Sequence, residues 1–179
     1  LQMLEILNIP DIRERMAKVT IERYHRMIDL GVFDEWDVEL LDGVLVEKMS
    51  KSDLHYFLVQ FLFRKLSALL PADEFVVGKE DPITIGDSEP EPDISVTKGA
   101  LTLAKPTTAL FVAEVAIYSL VNDRAKASDY ARAEIPEYWI IRPKAELIEI
   151  YRNPVTGNYT EKAEITAEDT LKSTVLPGF

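Results

Sequence analysis

The chain has 179 residues, with 20 Lys+Arg against 31 Asp+Glu, a formal net charge of −11 and 47% apolar content. That size and composition describe one soluble globular domain, and no stretch reaches the roughly 20 uninterrupted apolar residues that a membrane-spanning helix needs. The absence of cysteine excludes disulfides, thiolate zinc sites and cysteine nucleophiles, so a metal would be held by oxygen or by the two histidines.

The opening LQMLEILNIPDIRERM lacks a basic segment followed by an apolar core, so the expected location is cytoplasmic. The excess of acid argues mildly against a partner held chiefly by phosphate neutralisation. Thr20 to Leu30 reads as a helix capped by Thr20, with Ile21, Tyr24 and Ile28 on one face and Gly31 as its stop. Val38–Leu41 and Val44–Glu47 flank Asp42-Gly43, a strong hairpin signal. Over 54–70, Leu54, Phe57, Leu58, Phe61, Leu62, Leu66 and Leu69 recur at helical spacing, predicting a core-facing stripe opposite Tyr56, Gln60, Arg64 and Ser67.

Short strands are expected at Phe75–Val77 and Ile83–Ile85, and another at Asp93–Thr97 after the stiff Glu89-Pro90-Glu91-Pro92. Residues 110–117 form an apolar run suited to a strand covered on both faces, broken only by Glu114. A helix over Asp123–Ala133 then meets Pro136, and Tyr138–Ile141 follows as a short strand whose Tyr138 and Trp139 belong to the core. Two strands, 147–151 and 159–165, flank 153–158 as a last hairpin. The order indicates a mixed α/β domain with a central sheet flanked by helices. The expected division is a helical extension at 1–31, a core at 38–152 and a C-terminal hairpin extension at 153–179.

Glu114 opens the functional argument. An isolated ionised carboxylate in a dry strand costs several kcal/mol, in order of magnitude, unless a cation answers it. Asp93, after Pro92, is a second acid on a rigid element, and the two converge if their strands adjoin. Two carboxylates with a backbone carbonyl and water make the hard oxygen environment that suits Mg²⁺ and also fits Mn²⁺. Lys126, on the following helix, can fold back to the same spot and stabilise negative charge that develops during attack on phosphorus.

The chain resembles the Uma2-like (DUF820) family, predicted nucleases of the PD-(D/E)XK superfamily. The likeness rests on Glu22-Arg23-Tyr24-His25-Arg26, Val38-Glu39-Leu40-Leu41-Asp42-Gly43, His55, Asp81-Pro82-Ile83, Glu91-Pro92-Asp93-Ile94, Val112-Ala113-Glu114-Val115, Asp123-Arg124-Ala125-Lys126 and Ile135-Pro136-Glu137-Tyr138-Trp139. It implies a restriction-endonuclease-like core with Asp93, Glu114 and the Val115 carbonyl as metal ligands. It also implies that Lys126 takes the lysine role that Ala116 cannot fill, and that Glu39 and His55 lie near the pocket. The implied activity is Mg²⁺-dependent endonuclease hydrolysis of nucleic acid, DNA above all, leaving a 5′-phosphate, with a homodimer as the assembly. Many relatives carry aspartate where Arg142 stands here and polar residues where Tyr118 stands, so the substrate side departs from the family pattern.

Other readings stay open at each residue. Glu114 and Lys126 can be a buried ion pair serving the fold, Asp93 a strand-entry residue, Glu39 an exposed hairpin carboxylate and His55 a structural histidine. Arg124, Arg132, Arg142 and Lys144 read as solvated surface rather than phosphate contacts, and His25 as lying on a solvent face. The rival function is a catalytically silent nuclease fold used for binding or assembly.

Overall fold

The computed structural model describes residues 9–179. Of the expected 1–31 extension, residues 1–8 lie outside the described residues. The remainder holds a short helix α1 (Pro10–Glu14) and α2 (Ile21–Asp29). Thr20 Oγ1 caps α2 by accepting the Arg23 N–H at 3.3 Å, and Gly31 follows its end in the left-handed region at φ +69°.

A hairpin, β1 (Val38–Leu41) and β2 (Val44–Glu47), turns at Asp42 (φ +51°) and Gly43 (φ +76°). Both central residues have positive φ, which is the turn an Asp-Gly pair favours because it matches strand twist. The turn is docked from outside. The Ser88 hydroxyl oxygen accepts the Asp42 N–H at 2.8 Å, and the Asp87 carbonyl accepts the Gly43 N–H at 2.9 Å.

Helix α3 (Asp53–Leu69), capped by Ser52, leads to β3 (Phe75–Gly78), β4 (Ile94–Lys98) and β5 (Phe111–Val115). Helix α4 (Leu120–Arg132) then crosses to β6 (Glu137–Arg142), and a 3₁₀ turn (Pro143–Ala145) leads to β7 (Leu147–Val155) and β8 (Asn158–Thr166). Strands β3 to β8 form one six-stranded sheet in sequence order, parallel only between β5 and β6. The α4 crossover between them is what a parallel pair requires.

Alternation along β5 divides the core into two layers. Phe111, Ala113 and Val115 face the α3 side with Val59, Leu66, Ile94 and Trp139, while Val112 and Ala116 face α4 with Tyr130, Ala131 and Tyr138. Glu114, between Val112 and Ala116 in that alternation, therefore points at α4. On the α3 side, buried Glu137 accepts the Thr174 N–H at 2.8 Å and the Trp139 indole N–H at 2.6 Å. Arg152 reaches the same carboxylate at 3.0 Å. The tail thus closes over the sheet, with Phe179 stacked on Trp139.

Three sequence expectations are corrected. On α3 the buried side is carried by Val59 and Leu66 with Leu58, Leu62 and Phe63 against the core, whereas Leu54, Phe57, Phe61 and Leu69 are exposed. The apolar arc of this helix is wider than one stripe, and the sheet takes only the edge that runs through Leu58, Leu62 and Leu66 to Val59 and Phe63. Ile83–Ile85 is buried but forms no strand. Its amides are taken by loops, Ile83 N–H to the Pro90 carbonyl at 3.0 Å and Thr84 N–H to the Pro106 carbonyl at 2.9 Å. The last hairpin turns at Thr156-Gly157 alone, with both strands longer than expected. Pro154 is tolerated in β7 because the β6 pairing already ends at Arg152, so no neighbour there needs its missing N–H.

Candidate active site

Asp93 immediately precedes β4, and the register that sets Ile94 opposite Ala113 brings Asp93 beside Glu114. The contacts are reciprocal: Asp93 N–H donates to Glu114 Oε2 at 3.2 Å, and Val115 N–H donates to Asp93 Oδ2 at 2.7 Å. Each acid therefore occupies a backbone donor of the other's strand, which fixes both carboxylates without a salt bridge between them. The Val115 carbonyl accepts the Ile117 N–H at 3.1 Å, so one of its two lone-pair directions is already in use.

Helix α4 supplies the cation. Lys126 Nζ lies 2.9 Å from Glu39 Oε1 and 3.3 Å from Glu114 Oε1, and the Tyr130 hydroxyl donates to the same Glu114 oxygen at 2.9 Å. Glu39 reaches the site because the β1–β2 hairpin is held down through Leu40, whose carbonyl accepts the Glu89 N–H at 2.7 Å. Glu39 is 5% exposed, Glu114 3% and Lys126 7%, so the reading of Glu39 as an exposed hairpin carboxylate is overturned. His55, in the first turn of α3, places Nε2 3.1 Å from Asp93 Oδ2, and its Nδ1 is buried without a partner.

The electrostatics follow from this crowding. Burial pushes the Glu114 carboxyl well above its ordinary value, and Lys126 only partly opposes it. Burial likewise raises Asp123, to about 6, against the Ser119 hydroxyl bond and Lys126. Burial pulls Lys126 down, but Glu114 and Glu39 outweigh it and hold the amine above the usual lysine range. The Asp93 hydrogen bond raises His55 against the opposing effect of burial.

All five side chains singled out from sequence, Glu39, His55, Asp93, Glu114 and Lys126, line one cavity of about 80 Å³. Asp123 and Tyr130 were missed. Asp123 accepts the Ser119 hydroxyl at 2.6 Å, and Tyr130 holds Glu114. Their signal was present, since Ser119, Asp123, Lys126 and Tyr130 fall at helical spacing on one face. Glu80 was missed as well. His55, Glu80 and Asp93 each offer a ligand atom within 4.8 Å of the others, although Glu80 also pairs with Lys51 at 2.9 Å.

The other singled-out residues fall outside this cluster. Arg124 and Arg142 both bind Glu149, at 3.0 and 2.9 Å, and Arg132 reaches Asp42 at 3.2 Å. His25, expected on a solvent face, instead holds Glu89 at 2.7 Å, and that buried carboxylate also takes Thr84 and Lys105. Tyr138 and Trp139 are buried, as the apolar strand implies.

The donor set fits a hard divalent cation. Seven carboxylates line the cavity against three lysines and one histidine, and a buried acid driven toward its neutral form is relieved by a nearby positive charge.

Comparison with known proteins agrees with this architecture. A crystal structure described as a putative nuclease belonging to DUF820 from Anabaena variabilis ATCC 29413 superposes with a TM-score of 0.67 at 18% identity, covering 76% of this chain and 80% of that one. No curated protein matches the chain. The family model Uma2, described as "Putative restriction endonuclease", matches residues 21–179. With that match spanning most of its length, the chain belongs to the Uma2 family of restriction-endonuclease-like proteins.

Proposed function

We propose that the protein is a metal-dependent nuclease that hydrolyses phosphodiester bonds of DNA. The observation that carries this reading is the meeting of Asp93 and Glu114, from adjoining strands, with Lys126 from α4 in one cavity. A divalent ion such as Mg²⁺ or Mn²⁺ held there would polarise the scissile phosphate and acidify a water molecule. Lys126 supplies a fixed positive charge where negative charge develops, in surroundings that strengthen it. Tyr130 and the Asp93 backbone N–H orient Glu114, and Glu39 anchors the other side of the amine. His55 orients Asp93 through its Nε2.

The test is digestion of single- and double-stranded DNA by the wild type and Lys126→Ala with Mg²⁺ or Mn²⁺. Cleavage lost in the variant supports the mechanism, and equal cleavage removes the lysine from it.

One observation favours a silent binding fold as the second reading. Lys126 already bridges Glu39 and Glu114 with Tyr130 completing the set, which is a self-satisfied buried cluster. Calorimetric Mn²⁺ titration separates the two. The nuclease reading expects binding that Asp93→Ala and Glu114→Ala abolish, and the silent fold expects none.

A further inference from the structure

At the mouth of the same cavity stands Tyr118, which lines it together with Asn122. Three residues beyond the end of β5, this tyrosine is 67% exposed. One face is covered by Lys144 from the 3₁₀ turn after β6, with Nζ 3.7 Å from the ring centroid. The neighbouring Arg142 spends its charge on Glu149 at 2.9 Å, whereas Lys144 lies on the aromatic ring. A large ring left in water at a cavity rim, braced from behind by a cation, is the arrangement on which nucleobases stack, since every base offers a π-face and the lysine adds charge for the backbone.

The rest of the rim disfavours a duplex. Glu47, Glu80 and Glu91 border the cavity, and the whole chain carries a net charge of −11. Duplex DNA presents one negative charge per roughly 1.7 Å of axis and is ordinarily held by a broad basic surface. A single strand offers fewer phosphates to repel and bases free to stack.

We propose that Tyr118, backed by Lys144, is a stacking platform for an unpaired base next to the scissile phosphate, so that the preferred substrate is a single DNA strand. This rests on the nuclease reading of the adjacent cavity. The test is equilibrium binding of a single-stranded 12-mer carrying one 2-aminopurine, and of its duplex, in Ca²⁺, read by fluorescence. The wild type and Tyr118→Phe quench the probe and prefer the single strand. Tyr118→Ser loses the quenching and about tenfold in affinity, with an unchanged melting temperature showing that the fold is intact. Lys144→Met weakens binding while retaining part of the quenching.

Tyr118→Ser binding and quenching like the wild type overturns the platform, as does equal affinity for the duplex or no binding of the single strand. Binding with quenching but no cleavage of any DNA in Mg²⁺ or Mn²⁺ leaves the platform standing and removes the nuclease reading. Cleavage of duplex plasmid without quenching does the reverse.

Discussion

Replacing Lys126 by methionine keeps the bulk of the side chain while deleting its charge, and so isolates the electrostatic role of the amine. Glu39 and Glu114 are then buried at 5% and 3% exposure without the cation that lies 2.9 and 3.3 Å from them. Removing one partner of a buried pair typically costs about 3–5 kcal/mol because the orphaned charge stays behind. The orphan can escape only by binding a proton. Keeping one glutamate neutral costs about 1.4 kcal/mol per pH unit above its ordinary 4.5 or so, which sets a ceiling for each of the two near 5 kcal/mol at pH 8 and under about 1 kcal/mol at pH 5. At about 2–4 °C per kcal/mol for a chain of this size, Lys126→Met melts roughly 6–20 °C below the wild type at pH 8 and within a few degrees of it at pH 5. Thermal denaturation followed by circular dichroism at the two pH values measures this. Equal depression at both, or none at pH 8, refutes the charge argument and makes Lys126 a packing residue.

Asp123→Asn acts with the opposite sign. The wild-type carboxyl is raised to about 6 in the folded state, from an ordinary value of 3.8, so the unfolded chain loses its proton first and wild-type stability falls between about pH 4 and 6. The variant therefore flattens that fall and gains up to about 3 kcal/mol at pH 7, and a variant less stable than the wild type at pH 7 denies the burial cost. His55 is raised by Asp93, so its stabilisation is full below its ordinary 6.5 or so and vanishes as pH climbs through the higher folded value. Urea melts of His55→Gln show a larger deficit at pH 6 than at pH 8.5. Gly43→Ala loses about 1–3 kcal/mol, because φ is +76° and the new Cβ would lie 2.7 Å from Lys18 Cβ; a chemical melt indistinguishable from the wild type contradicts this. Phe57→Ser with Phe61→Ser changes stability by under about 1 kcal/mol, since both rings are exposed, and a loss of several kcal/mol would return them to the core.

What could be read from the sequence divides along physical lines. Glu114 stood out because a charge inside an uninterrupted apolar run has few affordable explanations, and Asp42-Gly43 because few other turns demand that pair. The pairing of Asp93 with Glu114 needed strand adjacency, which periodicity hints at and only register settles. Tyr130 escaped notice because a tyrosine on an amphipathic helix suits the core equally well, and its hydroxyl bond to Glu114 is a tertiary event. Leu54, Phe57, Phe61 and Leu69 read as core from the sequence because an apolar arc wider than one stripe does not say which of its edges a sheet will cover. Ile83–Ile85 looked like a strand since burial and β-branching are shared by strands and by extended loops whose amides bind elsewhere.

Ala116 lies two residues after Glu114, just past the end of β5, small and buried against α4, while the amine rides on the helix itself. The side chains of the candidate site consequently belong to four separately docked pieces, the hairpin, α3, the sheet and α4. The Tyr138 hydroxyl on the Asp123 carbonyl at 2.9 Å and Arg124 on Glu149 at 3.0 Å pin the helix in place. A slip of one residue along its axis moves Nζ by about 1.5 Å, enough to part it from both acids while every strand stays paired. The cluster can therefore lose its alignment while the sheet stays intact, and anything that loosens those two pins lets the amine drift from its acids.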